Sequence, residues 1–156
     1  MPNPINEERF PVRKNPRLKQ FDYASRAYYF VTICAKNKAC IFGSPQALSN
    51  AGSIAEAALQ STETHFPTVK VDKFVVMPNH VHAIIILEEG SPGLSAIVGQ
   101  YKAAVTKHIH KWDPAATVWQ TSFHDHIIRN QADYQRIWQY IDTNPVKWSE
   151  DCFYTP

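Results

Sequence analysis

Two imidazoles one residue apart inside an apolar run constrain this chain more than any other feature. The run reads Val75-Val76-Met77-Pro78-Asn79-His80-Val81-His82-Ala83-Ile84-Ile85-Ile86-Leu87, and a polar ring placed there needs a partner, because burying an unpaired polar group is unfavourable. In a strand from His80 to Leu87 successive side chains alternate faces, so His80, His82, Ile84 and Ile86 share one face and Val81, Ala83 and Ile85 the other. Both imidazoles then point the same way. Two neutral imidazoles on one side of a rigid strand form a two-point metal clamp, which an oxygen or nitrogen from elsewhere completes. The competing reading is a pair of core histidines satisfied by hydrogen bonds.

The elements around this strand define its setting. Tyr28 to Cys34 is aromatic and β-branched and reads as a first strand. Ser53 to His65 reads as a helix, with Ser53 and Glu56 in capping-box spacing and a stop before Pro67. Val69 to Met77 is a second strand that Pro78-Asn79 turns directly into the histidine strand. Leu94 to Trp112 is helical by the spacing of Leu94, Ile97, Val98, Tyr101, Val105 and Ile109, and Val118 to Ile128 is strand-like. Gln131 to Thr143 is a last helix, which Asn144-Pro145 should end because a residue before proline is pushed out of helical geometry. The order predicts an α+β fold: a ferredoxin-like βαββαβ antiparallel sheet with two helices on one face and an additional C-terminal helix bearing Tyr140. The histidine strand is apolar on both faces, so both need a cover, and the extra helix is the natural one for the second.

With 156 residues, 44% of them hydrophobic, the chain supports one buried core and one domain, residues 27 to 156. Residues 1 to 26 form a basic, proline-punctuated arm in which Arg9, Arg13, Lys14, Arg17, Lys19 and Arg26 face only Glu7, Glu8 and Asp22. A basic arm on a near-neutral body can sit on phosphates. Cys34, Cys40 and Cys152 lack paired spacing, which excludes a disulfide framework and a thiolate zinc site and fits a reducing cytoplasm. No apolar run reaches membrane-spanning length.

Two further His-x-His pairs occur. His108 and His110 fall on the predicted second helix, where residues two apart diverge, so they cannot share one ion. His124 and His126 can share a strand face, and either could add a ligand, a phosphate contact or a hydrogen bond to the first pair. On the last helix Tyr134, Ile137, Trp138 and Ile141 make the apolar stripe. Tyr140 and Asn144, four apart, lie together on its flank. If that helix covers the histidine face, a phenol and an amide oxygen approach the imidazoles together. These residues fit one reaction: a divalent cation on His80 and His82, with Asn144 as a further candidate ligand, orients a DNA phosphodiester that Tyr140 attacks. Arg13, Lys14, Arg17, Lys19, Lys102, Lys107, Arg129 and Arg136 are candidates for holding backbone phosphates.

Three blocks in order carry a family resemblance: Met77-Pro78-Asn79-His80-Val81-His82, then Trp119-Gln120 leading to Phe123-His124-Asp125-His126-Ile127-Ile128-Arg129-Asn130, then Tyr140-Ile141-Asp142-Thr143-Asn144-Pro145-Val146-Lys147. With them the chain resembles the HUH single-tyrosine transposases of the insertion sequence 200/605 type, and among these the REP-associated tyrosine transposases. The resemblance implies a nickase and strand transferase that uses Mg²⁺ or Mn²⁺ on single-stranded DNA with hairpin-forming ends. It implies His80 and His82 as metal ligands and Tyr140 as the nucleophile of a 5′-phosphotyrosine, while His126 and Gln120 stand beside them as candidate auxiliary residues. Insertion-sequence members commonly carry Gln four residues after the tyrosine, where this chain has the shorter Asn144. The family includes homodimers, in which the tyrosine helix acts in trans, and monomers. The alternative function is a non-catalytic nucleic-acid-binding domain on a ferredoxin-like sheet, with the histidines serving as packing.

Overall fold

The computed structural model describes residues 26–155. Its first strand, β1 (Arg26–Cys34), begins two residues before the expected start and takes Arg26 from the arm into the sheet. The expected phosphate contacts Arg13, Lys14, Arg17 and Lys19 lie outside the described residues. A small hairpin that the sequence did not announce follows, β2 (Gly43–Ser44) with β3 (Ala47–Leu48). It delivers the chain into α1 (Asn50–His65). The cap is Ser49 rather than the expected Ser53: its Oγ accepts from Gly52 N at 3.1 Å and donates to Ile41 O at 2.7 Å, anchoring the helix start to the preceding loop.

The strands β4 (Val69–Val76) and β5 (His80–Glu88) form the expected tight hairpin, closed by Met77 N donating to His80 O at 2.8 Å. Helix α2 (Leu94–Ile109) stops short of Trp112, because the chain tightens through bonds from Lys111 N to His108 O and Trp112 N to Ile109 O. The strand expected over 118–128 is shortened to β6 (His124–Ile127), preceded by an isolated bridge from Trp119 to Ala35. Lys102 accounts for the shortening. Its ammonium collects the carbonyls of Gln120, Thr121 and Ser122 at 2.8, 3.4 and 3.2 Å, turning that backbone toward a helix side chain. Helix α3 (Gln131–Thr143) has the expected limits, with Asn130 as its N-cap. Asn144 nevertheless keeps helical dihedrals before Pro145, contrary to the expected pre-proline break. No helix among the described residues is long and apolar enough to cross a membrane.

The four-stranded sheet has the order β4-β5-β1-β6 with every neighbour antiparallel, which is the ferredoxin-like arrangement. Val31, Ile33, Val81, Ala83 and Ile85 pack against α1 and α2. Tyr28, Phe30, Ile84 and Ile86 pack on the opposite face with Tyr134, Ile137, Trp138 and Ile141 of α3. Alternation along β5 thus sends the histidines to the α3 side. A bulge in β4 between Val71 and Lys73 directs two consecutive residues at α3. Asp72 accepts from the Tyr134 hydroxyl. Lys73 binds Asp142 at 2.9 Å and lies 4.2 Å from the centre of the Trp138 ring.

One glycine fixes the seat of α1. A Cβ at Gly52 would stand 2.3 Å from the carbonyl oxygen of Phe42, a backbone atom with no free rotation to relieve it. Gly52→Ala should therefore lower stability by about 1–3 kcal/mol despite the better helix propensity of alanine. A thermal melt of the variant checks this, and an unchanged or raised Tm would show that the loop yields.

Candidate functional site

The histidine pair is buried on the α3 side of the sheet, both rings at 0% exposure. His80 has a defined tautomer. Asn79 Nδ2 donates to Phe153 O at 2.8 Å and to Lys38 O at 3.3 Å, so its Oδ1 is the atom that faces His80 Nδ1 at 2.7 Å. His80 Nδ1 therefore carries the hydrogen, and Nε2 presents a lone pair. His82 Nδ1 lies 2.9 Å from Thr32 Oγ1, its cross-strand partner on β1. The two Nε2 atoms face each other at 3.0 Å. Two lone pairs at that distance repel unless something positive lies between them. Either His82 Nε2 carries a proton and Thr32 donates to Nδ1, or a cation lies between the rings and Thr32 accepts from Nδ1–H.

Helix α3 brings the other expected residues to the same place. The Tyr140 ring packs edge-on at 5.3 Å from the His82 ring and 6.1 Å from the Phe30 ring. Asn144, one helical turn further on, is 1% exposed, and its Oδ1 is buried without a hydrogen-bond partner. His80, His82, Tyr140 and Asn144 thus converge within one chain.

A residue the sequence reading missed sits between them. Asp151 follows the short helical turn Trp148–Glu150, and its carboxylate is fully buried. Its Oδ2 accepts from Asn144 Nδ2 at 2.6 Å and from the Tyr140 hydroxyl at 3.3 Å, and lies 3.8 Å from His80 Nε2. Ligand atoms of His80, His82 and Asp151 all lie within 4.8 Å of one another. The segment holding Asp151 also lays the Phe153 ring over His80, 4.7 Å between ring centres. The one signal in sequence was proximity to Asn144, because Asp151 lies beyond the last periodic element.

The remaining candidates lie elsewhere. His126 pairs with Asp133 at 2.8 Å, and Arg136 binds the same carboxylate at 3.1 Å. Gln120 uses its backbone to bond Cys34 and Lys102. Lys102 directs its ammonium at three carbonyls, whereas Lys107 and Arg129 are exposed. His110 bonds Ala116 O at 2.8 Å and His108 is exposed, in keeping with their expected helix-flank position.

Electrostatics keeps the rings neutral and the phenol protonated. Burial pushes the His80 imidazole from its ordinary 6.5 down to about 3, against a smaller opposing contribution from the Asn144 amide. Burial lowers His82 as well, with His80 beside it adding to the effect. The Tyr140 phenol is pushed well above its ordinary range by burial first and by the Asp151 charge second.

The family described as transposase IS200 like matches residues 23–144. An uncharacterised protein of Haemophilus influenzae is 34% identical over 91% of this chain and 93% of its own length. A REP-associated tyrosine transposase of Escherichia coli is 35% identical over 50% of this chain and 45% of its own. The solved structure of a REP-associated tyrosine transposase bound to a REP hairpin superposes with a TM-score of 0.64 at 27% identity, covering 82% of this chain and 72% of that one.

The buried imidazoles predict an acid sensitivity. Their pKa values are depressed by folding, so the stability they contribute is complete above the unfolded value near 6.5 and is lost as pH falls below it, for His80 down to about 3. Denaturant midpoints should fall between pH 7 and pH 5 in metal-free buffer. The fall should shrink in the His80→Gln, His82→Gln double variant, and an equal fall there would assign the sensitivity to other groups.

Proposed function

The chain belongs to the IS200-like transposase family, and on that premise we propose that it cleaves and rejoins single-stranded DNA through a covalent bond to Tyr140. The carrying observation is that the half-buried Tyr140 ring packs against the buried His80–His82 pair within a single chain. The solved relative bound to a REP hairpin supports hairpin-forming DNA as the substrate.

The residues present fit a divalent cation. His80 offers a lone pair in a fixed direction, His82 faces it, and Asn144 Oδ1 is a buried oxygen without a hydrogen bond. A divalent cation such as Mg²⁺ or Mn²⁺, held by His80 and His82 with Asn144 as a further oxygen, would polarise a non-bridging phosphate oxygen and favour the phenolate.

The chain's own residues supply position and the nucleophile. Packing against Phe30 and His82 holds the Tyr140 ring, and the bond to Asp151 holds its hydroxyl. The phenol oxygen bonds to phosphorus as the bond from phosphorus to the 3′ oxygen breaks. The phenol gives up one proton and the departing 3′ oxygen gains one, so the step is neutral in protons. The 5′ phosphate stays on Tyr140, and a free 3′ hydroxyl reverses the step, which requires no nucleotide cofactor. Lys107 and Arg129, exposed on the body, and the basic arm remain the candidates for backbone phosphates.

Incubation with Mn²⁺ and a single-stranded hairpin oligonucleotide should give a protein–DNA adduct stable to denaturing electrophoresis. Tyr140→Phe should lower its formation by about a thousand-fold or more, and a chelator should do the same to the unsubstituted protein. Scission that survives Tyr140→Phe would remove the tyrosine from this role. Salt-sensitive binding without scission would favour a non-catalytic DNA-binding domain.

A further inference from the structure

The Asp151 carboxylate is buried among groups that leave its charge uncompensated. It accepts from the Asn144 amide, the Tyr140 phenol and, through Oδ1 at 2.8 Å, the Phe153 backbone N–H. None of these donors carries a positive charge. Among the described residues the single basic group within ion-pair distance is His80, at 3.8 Å, and no lysine or arginine reaches it. A buried anion without a cationic partner is strongly unfavourable, and hydrogen bonds to neutral donors offset only part of that cost. Among the described residues, none supplies the matching positive charge.

The carboxylate lies beside two nitrogens already at ligand spacing. Ligand atoms about 2.1 Å from one cation stand about 3.0–3.4 Å apart at octahedral or tetrahedral angles. The two Nε2 atoms match that spacing at 3.0 Å, whereas His80 Nε2 lies 3.8 Å from Asp151 Oδ2, so the carboxylate has to draw in by about half an ångström to complete the set. Two imidazoles and one carboxylate, with positions left for a substrate oxygen, form a donor set that divalent transition ions accept. Asn144 then acquires a second task, since its Nδ2 holds the Asp151 oxygen that faces the histidines.

Asp151 also belongs to a segment that meets the sheet beside the histidines. Contacts of residues 148–155 with the rest of the chain include Asn79 Nδ2 to Phe153 O at 2.8 Å, the Phe153 and Trp148 rings beside His80, Lys38 over the Phe153 ring, and Cys40 to Thr155 at 3.0 Å. We propose that Asp151 is a third protein ligand of the cation held by His80 and His82, so that cation binding and docking of residues 148–155 onto the sheet are one coupled event. The proposal rests on the metal-dependent reading above and adds to it a ligand from outside the three sequence blocks.

The test uses the full chain without DNA. Mn²⁺ binding is followed by the electron paramagnetic resonance signal of the free ion, and amide hydrogen exchange of residues 148–155 is measured with and without Mn²⁺. One Mn²⁺ should bind, exchange at 151–155 should slow on binding, and Asp151→Asn should weaken the affinity by about ten-fold or more and abolish the slowing. Equal affinity in Asp151→Asn, or exchange of the unsubstituted segment indifferent to Mn²⁺, would overturn the proposal. If His80→Ala and His82→Ala still abolish binding in that case, the histidine site stands and only the role of Asp151 falls. If the unsubstituted protein takes up no Mn²⁺, the metal-dependent reading falls with it.

Discussion

The Asn79 side chain uses both ends of its amide at once, donating from Nδ2 to the carbonyls of Lys38 and Phe153 and accepting at Oδ1 from His80 Nδ1. Those two donations fix which end of the amide meets the imidazole, and thereby which imidazole nitrogen is left bare. The turn that carries it is held on its backbone as well. Ala35 N donates to Asn79 O at 2.9 Å and Phe42 N to Pro78 O at 3.0 Å. A two-residue hairpin turn is thus tied to the end of β1 and to the segment before β2. Without these ties the His80 ring could rotate about its side-chain torsions, and the 3.0 Å approach to His82 would have no support.

The second requirement is that α3 seat Tyr140 against that pair. Apolar packing supplies most of the adhesion, through Tyr134, Ile137, Trp138 and Ile141. Packing alone leaves a helix free to slide or roll on a sheet. The β4 bulge restricts this by aiming Asp72 and Lys73 at Tyr134 and Asp142, eight residues apart on the helix. Polar pins near both ends of α3 set its register, and the register sets the direction of the tyrosine.

Much of this was legible in the residues. The alternation His80, His82, Ile84, Ile86 fixed one face of β5 before any coordinate, and the helical phase of 131–143 separated Tyr140 and Asn144 from the apolar stripe. What stayed hidden depends on contacts distant in sequence. The shortening of β6 follows from Lys102, on a helix about twenty residues earlier, whose ammonium turns three carbonyls away from strand pairing. The cap at Ser49 was concealed by a competing Ser53–Glu56 pattern with equally good spacing. Asp151 was hidden because residues beyond the last helix have no period, and only the return of the chain over His80 buries its carboxylate.

The sheet divides the interior into two apolar clusters, one shared with α1 and α2 and one with α3 alone. Cooperativity need not be uniform across such a partition. Sub-global opening of the α3 layer would expose Tyr28, Phe30, Ile84 and Ile86 while leaving the opposite layer and the strand pairing in place. Tyr140 and the histidines would then separate without unfolding of the strands that carry the histidines. The two halves of the site belong to different layers of the protein, so an opening of the α3 layer alone would take the site apart.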